Sequence, residues 1–433
     1  MQKFQNAKMP SMPKIRLIIL YFLQFAAWGA YLPSIGRFLT INGQDGSIGL
    51  FFSSIGLVSL IMPALMGMVA DRWIPAQRLY GICQIICAIA MISLGRYPLA
   101  GTDMSVTYPL YLAAIMFYMP SLSLCNSVSY NALEKSGMDP IATFPKIRPF
   151  GTVGFVASMW IVDLLGYQIQ ASQFVLSGFI SLCAGLYGLS LPKCGILQSA
   201  DGKTFAERIG IKAFSLFRKK EMAVFFIFAA LMGVCSKISD GFANAYVSSF
   251  GAIEDFAGTF GVMHANILIS LSQISEAVCV LLIPLAFRKL GFKKMVIAGM
   301  VAWGLRFALF GLGNPGGGLW MLVLSCMIYG VAFNFFSISG SLFVNRECDP
   351  ELRSSAQGLF MMMSGGIGSV LGMMGAQAVV SHFVIRQQTA MERWDGWQTS
   401  WLIFAGYALS VALLFALLFS KRKNAEKKHG LIL

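Results

Sequence analysis

The sequence predicts an all-α membrane protein with twelve transmembrane helices in two pseudo-symmetric six-helix bundles. Twelve apolar stretches, each about 20 residues long, follow one another between Ile15 and Phe419, with short polar connectors between them. Hydrophobic residues make up 57% of the 433 residues and charged residues only 12%, more apolar surface than a soluble domain can bury. A helix needs about 20 apolar residues to cross a hydrocarbon core of roughly 30 Å, so each stretch is long enough to span a bilayer.

The first apolar stretch reads as a retained helix. It is longer than the apolar core of a secretory signal, and no pattern of small residues typical of a cleavage site precedes the next stretch. We place the spans, in chain order, at residues 15–37, 47–70, 79–97, 107–132, 146–167, 172–192, 222–249, 262–287, 292–312, 318–344, 355–383 and 398–420.

The longest internal connector divides these spans into two groups of six. The predicted organisation is an N-terminal bundle at 1–192, a cytoplasmic linker at 193–221, a C-terminal bundle at 222–420 and a cytoplasmic tail at 421–433. Paired six-helix halves with a binding site near the membrane midplane are typical of secondary transporters.

The formal net charge of +14 indicates orientation in the membrane. Most of the 33 Lys and Arg residues lie in the two tails and in the connectors that would share one side with them. By the positive-inside rule both termini are cytoplasmic, and no nucleic-acid partner is needed to explain the charge. The nine cysteines show no metal-ligand spacing and no position for an outward-facing disulfide, so we expect no metal and no cofactor.

Ionisable residues inside the spans are the strongest markers of a site. A charge at the bilayer centre costs at least about 2.5 to 3.5 kcal/mol and must face protein or water. The set consists of Lys237 and Asp240 in span 7, Glu276 in span 8 and Arg306 in span 9, with Arg148 at the cytoplasmic start of span 5.

Spans 7 and 8 each carry two polar residues on one helix face. Lys237 and Asp240 are three residues apart, so they either neutralise one another or line a polar cavity, which Asn244 would extend by one more turn. Gln273 and Glu276 repeat this spacing. Two neighbouring helices with such pairs favour a binding site over packing alone.

Arg306 has no acidic residue within one helical turn, so its partner must come from another helix. Glu276 and Asp240 are the intramembrane acids available, and we expect one of them to pair with it. A buried carboxylate beside an arginine can gain or lose a proton as its surroundings change, which proton coupling requires. Asp240, Glu276 and Arg306 are therefore proton-coupling candidates; a fixed structural ion pair is the alternative.

Two further stripes suit a flat polar ligand. Arg148, Thr152 and Phe155 follow one face of span 5, whereas span 10 offers Tyr329 and Phe333, with Asn334 beside them. Aromatic rings can stack on such a ligand while amides, hydroxyls and charges bind its edge. Because aromatic residues make up 13% of the chain, each ring taken singly is more often a packing residue.

Five segments together resemble the nucleoside:proton symporter family of the major facilitator superfamily. The segments are Phe22–Gly29, Met62–Trp73, Phe144–Phe155, Ser272–Glu276 and Tyr329–Phe336. The resemblance implies two bundles that rock about a central nucleoside site. It assigns that site to Arg148, Thr152, Phe155, Gln273, Glu276, Tyr329 and Phe333, and it assigns a cytoplasmic gate motif to Gly67, Asp71 and Arg72.

The chain departs from the family pattern at three positions. Lys237 and Asp240 replace Gln and Asn, and Asn334 replaces an Asp. Since an amide carries no proton at physiological pH, Glu276 or Asp240 must take over coupling, or transport is uncoupled.

These observations predict a monomeric nucleoside permease of the bacterial cytoplasmic membrane that is not an enzyme and that imports nucleosides with protons by alternating access. Its partners are the nucleoside, protons and the lipid bilayer. The alternatives are a sugar or glycoside symporter of the same fold, since the glycine-rich start of span 5 also resembles oligosaccharide symporters, an uncoupled nucleoside facilitator, or a non-transporting membrane receptor.

Overall fold

A computed structural model describes residues 12–97, 101–194, 211–348 and 353–419, and these residues form helices joined by turns. The helices of the first half are α1 (Met12–Gly29), α2 (Ile35–Ile41), α3 (Ile48–Arg72), α4 (Ala76–Arg96), α5 (Met104–Lys135), α6 (Pro140–Ile147), α7 (Pro149–Leu164) and α8 (Ser172–Leu189). The later helices are α9 (Lys220–Ser249), α10 (Ala265–Leu312), α11 (Leu319–Glu347), α12 (Arg353–Met361), α13 (Gly368–Val380) and α14 (Ala390–Leu418).

Shorter elements complete the chain. Single turns of 3-10 helix lie at Asp45–Ser47, Tyr167–Ile169 and Phe250–Ala252, a longer one at Ile211–Arg218, and one-turn helices at Glu254–Ala257 and Phe260–Met263. Two π-helical segments, Met362–Ile367 and Ser381–Ile385, flank α13. Insertions of this kind widen a helix locally and often accompany functional sites.

Ten helical segments in the described part of the chain are long and apolar enough to cross a membrane. One of them is α10, whose 48 residues contain a non-helical residue, Gly291, with φ +68° and ψ 174°. At 1.5 Å per residue, 48 residues would extend about 72 Å, more than twice a bilayer core. The sequence-based boundary at 287–292 therefore coincides with a sharp change of direction inside one continuous element.

The described helices fall into two compact units. The first contains the described residues up to Gln44 together with Ile61 through Cys194, and the second contains Asp45–Leu60 and the described residues from 211 onward. Helix α3 is thus shared, since its first half packs with the second unit.

Buried amides hold the first unit together. The side-chain amide of Gln84 on α4 donates to Gln24 of α1 at 2.7 Å and to Ser121 of α5 at 2.9 Å, and all three side chains are fully buried. Helices α1 and α7 approach closely because a methyl group at Gly29 would clash with the backbone carbonyl of Phe155. Small residues allow such contact between helices in a membrane.

An aromatic cluster packs inside the second unit. Trp401 of α14 is fully buried and lies 5.5 Å from the ring of Tyr246, 4.9 Å from Phe310 and 5.7 Å from Phe307. These rings join α14 to α9 and to the second part of α10, and they set the framework on which the polar residues of this unit are arranged.

Candidate functional site

Lys237 and Asp240 form an ion pair on α9. The Nζ of Lys237 lies 2.9 Å from Oδ2 of Asp240, and the side chains keep 25% and 23% of their accessible surface. The pairing expected from their spacing of three residues is therefore present. Each side chain therefore keeps about a quarter of its surface outside the protein interior.

Arg306, in the second part of α10, is bound by neutral groups. It is only 1% exposed, and its Nε and Nη2 donate to the hydroxyl of Ser239 at 3.2 and 2.7 Å. Its Nη1 donates to the hydroxyl of Ser272 at 3.3 Å and to the backbone carbonyl of Ser325 at 2.6 Å.

We expect Glu276 or Asp240 to pair with Arg306; the carboxylate of Asp240 lies 2.9 Å from the Nζ of Lys237 instead, and for Glu276 the pairing stays a prediction. Three serines on three helices supply acceptors to the guanidinium, and the π faces of Phe310 and Tyr329 lie 4.9 and 4.8 Å from its Cζ. Aromatic faces attract a cation, which lowers the cost of burying the guanidinium group.

Tyr329 and Phe333 form a stacked aromatic pair on α11. Their ring centroids are 5.8 Å apart with an interplanar angle of 4°. Trp303 meets Tyr329 edge-on at 5.6 Å, so the Tyr329 ring is held on its edge and its face. Tyr329 is buried, whereas Phe333 is partly exposed, so Phe333 is the ring of this pair that a ligand can reach.

Gln273 and Glu276 lie on the first part of α10 and are partly exposed. Both adjoin the cluster around Arg306 and α11: Gln273 directly follows Ser272, which accepts from Arg306, and the backbone carbonyl of Glu276 accepts from Asn334. The residues predicted in spans 7, 8, 9 and 10 therefore converge within the second unit.

Asn334 lies at the contact between α10 and α11. It is 3% exposed, and its Nδ2 donates to the backbone carbonyl of Glu276 at 2.8 Å. Nearby, the amide of Gly330 donates to the Ser275 hydroxyl at 3.3 Å. The two helices are thus joined at Ser275 and at Glu276.

Asn244 does not extend the polar face beyond Asp240. It is 2% exposed, and its amide donates to the side chain of Asn266 on α10. The amide also accepts a hydrogen bond from Ser248 at 3.0 Å. The polar face expected on α9 therefore ends near Asp240, because the side chain of Asn244 takes part in the contact between α9 and α10.

In the first unit, Arg148, Thr152 and Phe155 lie at the start of α7. Arg148 is exposed and sits between α6 and α7, where Pro149 occupies the first helical position as proline prefers. Thr152 is partly exposed. Phe155 is largely buried, and its ring meets Trp28 edge-on at 6.3 Å.

The residues of the predicted gate motif lie in the last turns of α3. Gly67 is partly exposed, with open space where a side chain would project, and Arg72 is exposed. The side chain of Asp71 lies outside the described part of the structure.

Sequence reasoning missed the serines that surround Arg306. Ser239 directly precedes Asp240, and Ser272 directly precedes Gln273, so their position next to predicted site residues is the only available signal. Ser236, one turn before Asp240, is hydrogen-bonded to Tyr329. In the described residues no group of three or more His, Cys, Asp or Glu side chains is arranged to hold a metal.

Comparison with known proteins identifies the relatives of this chain. The family model described as "Nucleoside H+ symporter" matches residues 12–424. The nucleoside permease NupG of Escherichia coli K12 is 41% identical over 96% of this chain and 98% of its own length. The xanthosine permease of the same organism is 38% identical over the same shares.

Solved structures agree with the sequence matches. A crystal structure of the nucleoside transporter NupG is 39% identical, with a TM-score of 0.86 over 95% of this chain and all of that one. A POT family peptide transporter is 12% identical and superposes with a TM-score of 0.70, which speaks for the fold alone. The resemblance read from five sequence segments is thereby confirmed at the level of the family.

Proposed function

The chain belongs to the nucleoside H+ symporter family, and on that premise we propose that it imports nucleosides together with protons by alternating access. The observation that carries the proposal is the partly exposed ring of Phe333, stacked on Tyr329, in the same unit as the accessible Lys237–Asp240 pair. A ring for the base and hydrogen-bonding groups for its edge or the ribose hydroxyls are what a nucleoside site requires.

We place the protein in a bacterial inner membrane as a monomer with twelve spans and both termini in the cytoplasm. The ten candidate helices do not include α1, which adds an eleventh span. Counting the two parts of α10 on either side of Gly291 separately gives the twelfth. The excess of Lys and Arg in the tails and on one set of connectors supports the orientation.

The substrate contacts of this proposal come from side chains that keep some exposure. In the second unit these are Phe333, Gln273, Glu276, Lys237 and Asp240. Tyr329 packs against the ring of Phe333, and Asn334 binds the backbone carbonyl of Glu276. In this proposal both residues support the substrate contacts and do not touch the substrate. In the first unit the proposed contacts are Arg148, Thr152 and Phe155.

Glu276 is the better candidate for the transported proton. The carboxylate of Asp240 is already engaged, because the Nζ of Lys237 lies 2.9 Å from it. The backbone carbonyl of Glu276 accepts the side-chain amide of Asn334 at 2.8 Å, so a change in the charge of Glu276 acts next to the contact between α10 and α11.

Uptake into right-side-out membrane vesicles tests the proposal. We expect labelled uridine and xanthosine to accumulate when the outside is more acidic, with alkalinisation of the medium on adding nucleoside and loss of accumulation with a protonophore. Arg148→Ala should lower uptake. Absence of uptake of every nucleoside contradicts the substrate class, and competition by galactosides alone selects a sugar symporter.

An uncoupled facilitator is the second candidate, because an amide, Asn334, stands where the family pattern has a carboxylate. Under this alternative nucleosides equilibrate across the membrane, the medium does not become more alkaline, and the protonophore has no effect. The same vesicle measurement therefore separates the two mechanisms.

A further inference from the structure

Arg306 touches every helix that carries a proposed substrate contact in the second unit. Its acceptor Ser239 directly precedes Asp240 on α9, and its acceptor Ser272 directly precedes Gln273 on α10. On α11 it binds the carbonyl of Ser325, one turn before Tyr329. One guanidinium group therefore binds within one turn of a proposed site residue on each of three segments.

Two further contacts join Arg306 to α11. The Ser325 hydroxyl donates back to the backbone carbonyl of Arg306 at 2.9 Å, and the Arg306 guanidinium lies over the Tyr329 ring at 4.8 Å. Because Tyr329 stacks in parallel on Phe333, the guanidinium fixes the ring that supports the accessible one.

We propose that Arg306 is a positioning residue that sets the spacing of α9, the first part of α10 and α11, and thereby the geometry of the nucleoside site, without touching the substrate. At 1% exposure it is closed to direct contact with a ligand. This inference rests on the proposed function for its affinity readout, and it differs from the coupling role that the charge of Arg306 alone would suggest.

The shape of the Arg306 side chain distinguishes a positioning role from a role of its positive charge alone. Arginine offers five N–H donors in a planar fork, four of which bind the two serine hydroxyls and the carbonyl, and its flat face covers the rings. Lysine keeps the positive charge but places three donors on one atom, so it cannot span the same acceptors. Arg306→Lys therefore removes positioning and retains charge.

Uptake kinetics in vesicles test this inference. We expect Arg306→Lys and Arg306→Gln to raise the KM for uridine about tenfold or more, the loss that about 1.4 kcal/mol of binding energy implies. In Arg306→Lys the pH profile should stay that of the wild type. Ser239→Ala and Ser272→Ala, which each delete one acceptor and keep the arginine, should raise KM by smaller factors. Exposed Arg386→Lys is the matched control and should leave KM unchanged.

A wild-type KM in Arg306→Lys, with only Arg306→Gln impaired, overturns the inference in favour of a role for charge. A second measurement does not depend on transport: amide hydrogen exchange of the peptide that contains Tyr329 and Phe333 should be faster in Arg306→Lys and in Ser239→Ala than in Arg386→Lys. Equal exchange in all of them overturns the positioning role, even if the variants accumulate poorly. Failure of the wild type to take up nucleosides overturns the proposed function instead, and leaves the exchange result to decide on Arg306.

Discussion

Asn334 donates its side-chain amide to the backbone carbonyl of Glu276, at 2.8 Å, from a position that is almost fully buried. Asn334 is therefore a hydrogen-bond donor to the helix segment that carries Glu276, the proposed proton carrier. An ionised carboxylate cannot make this contact, because both it and the carbonyl are acceptors. The change of residue type thus fits a division of roles in which Asn334 holds the backbone and Glu276 carries the charge.

Asn334→Asp should weaken nucleoside uptake in a pH-dependent way. Above pH 7 the ionised aspartate faces an acceptor, and we expect KM to rise about 5- to 30-fold, which corresponds to about 1 to 2 kcal/mol. At acidic pH the protonated aspartate can donate, so the defect should shrink. Asn334→Leu, which cannot donate at any pH, is the control and should be impaired throughout. Equal KM for the wild type and Asn334→Asp at every pH would show that the contact has no role in the site.

Glu276→Gln should uncouple transport while retaining binding. If one proton enters with each nucleoside, a gradient of about one pH unit supports about tenfold accumulation, since one pH unit corresponds to 1.36 kcal/mol. The amide cannot carry that proton, so the accumulation ratio should fall to about one, whereas exchange of internal for external nucleoside continues. Asp395→Asn, an exposed acid at the start of α14, is the matched control and should accumulate as the wild type does. Normal accumulation by Glu276→Gln would assign the transported proton to Asp240 instead.

Sequence reasoning reached the interactions that are local in the chain. The Lys237–Asp240 pair follows from a spacing of three residues on one helix, and the stack of Tyr329 on Phe333 follows from a spacing of four. The partners of Arg306 could not be derived in this way, because Ser239, Ser272 and Ser325 come from different segments and serine is common in membrane helices. Likewise, Asn244 has the right spacing for a cavity wall, but contact with Asn266 depends on how α9 and α10 cross.

Gly330→Ala should destabilise the protein and weaken the site together. A methyl group at Gly330 would meet the backbone carbonyl of Ser275, a rigid group, so α10 and α11 must move apart beside the Glu276–Asn334 contact. We expect a loss of about 1 to 3 kcal/mol of stability, seen as a lower Tm in detergent, together with a higher KM for uridine. Gly375→Ala on α13 is the matched control: open space surrounds that position, and alanine favours a helix by about 0.5 to 1 kcal/mol. An unchanged Tm in Gly330→Ala would mean that the close approach of the two helices contributes little.

A double-mutant cycle on Lys237 and Asp240 separates a static ion pair from a ligand-binding wall. Lys237→Met and Asp240→Asn each leave one partly buried charge without its partner, and each should cost about 1 to 2 kcal/mol after allowance for the quarter of each side chain that water reaches. The double variant restores neutrality, so its Tm should return towards that of the wild type. Its KM for uridine should nevertheless stay high, because the ammonium and carboxylate groups that would bind the nucleoside are gone. Recovery of both Tm and KM in the double variant would reduce the pair to an internal neutralisation of two charges, and substrate recognition in this unit would then rest on Gln273, Glu276 and Phe333.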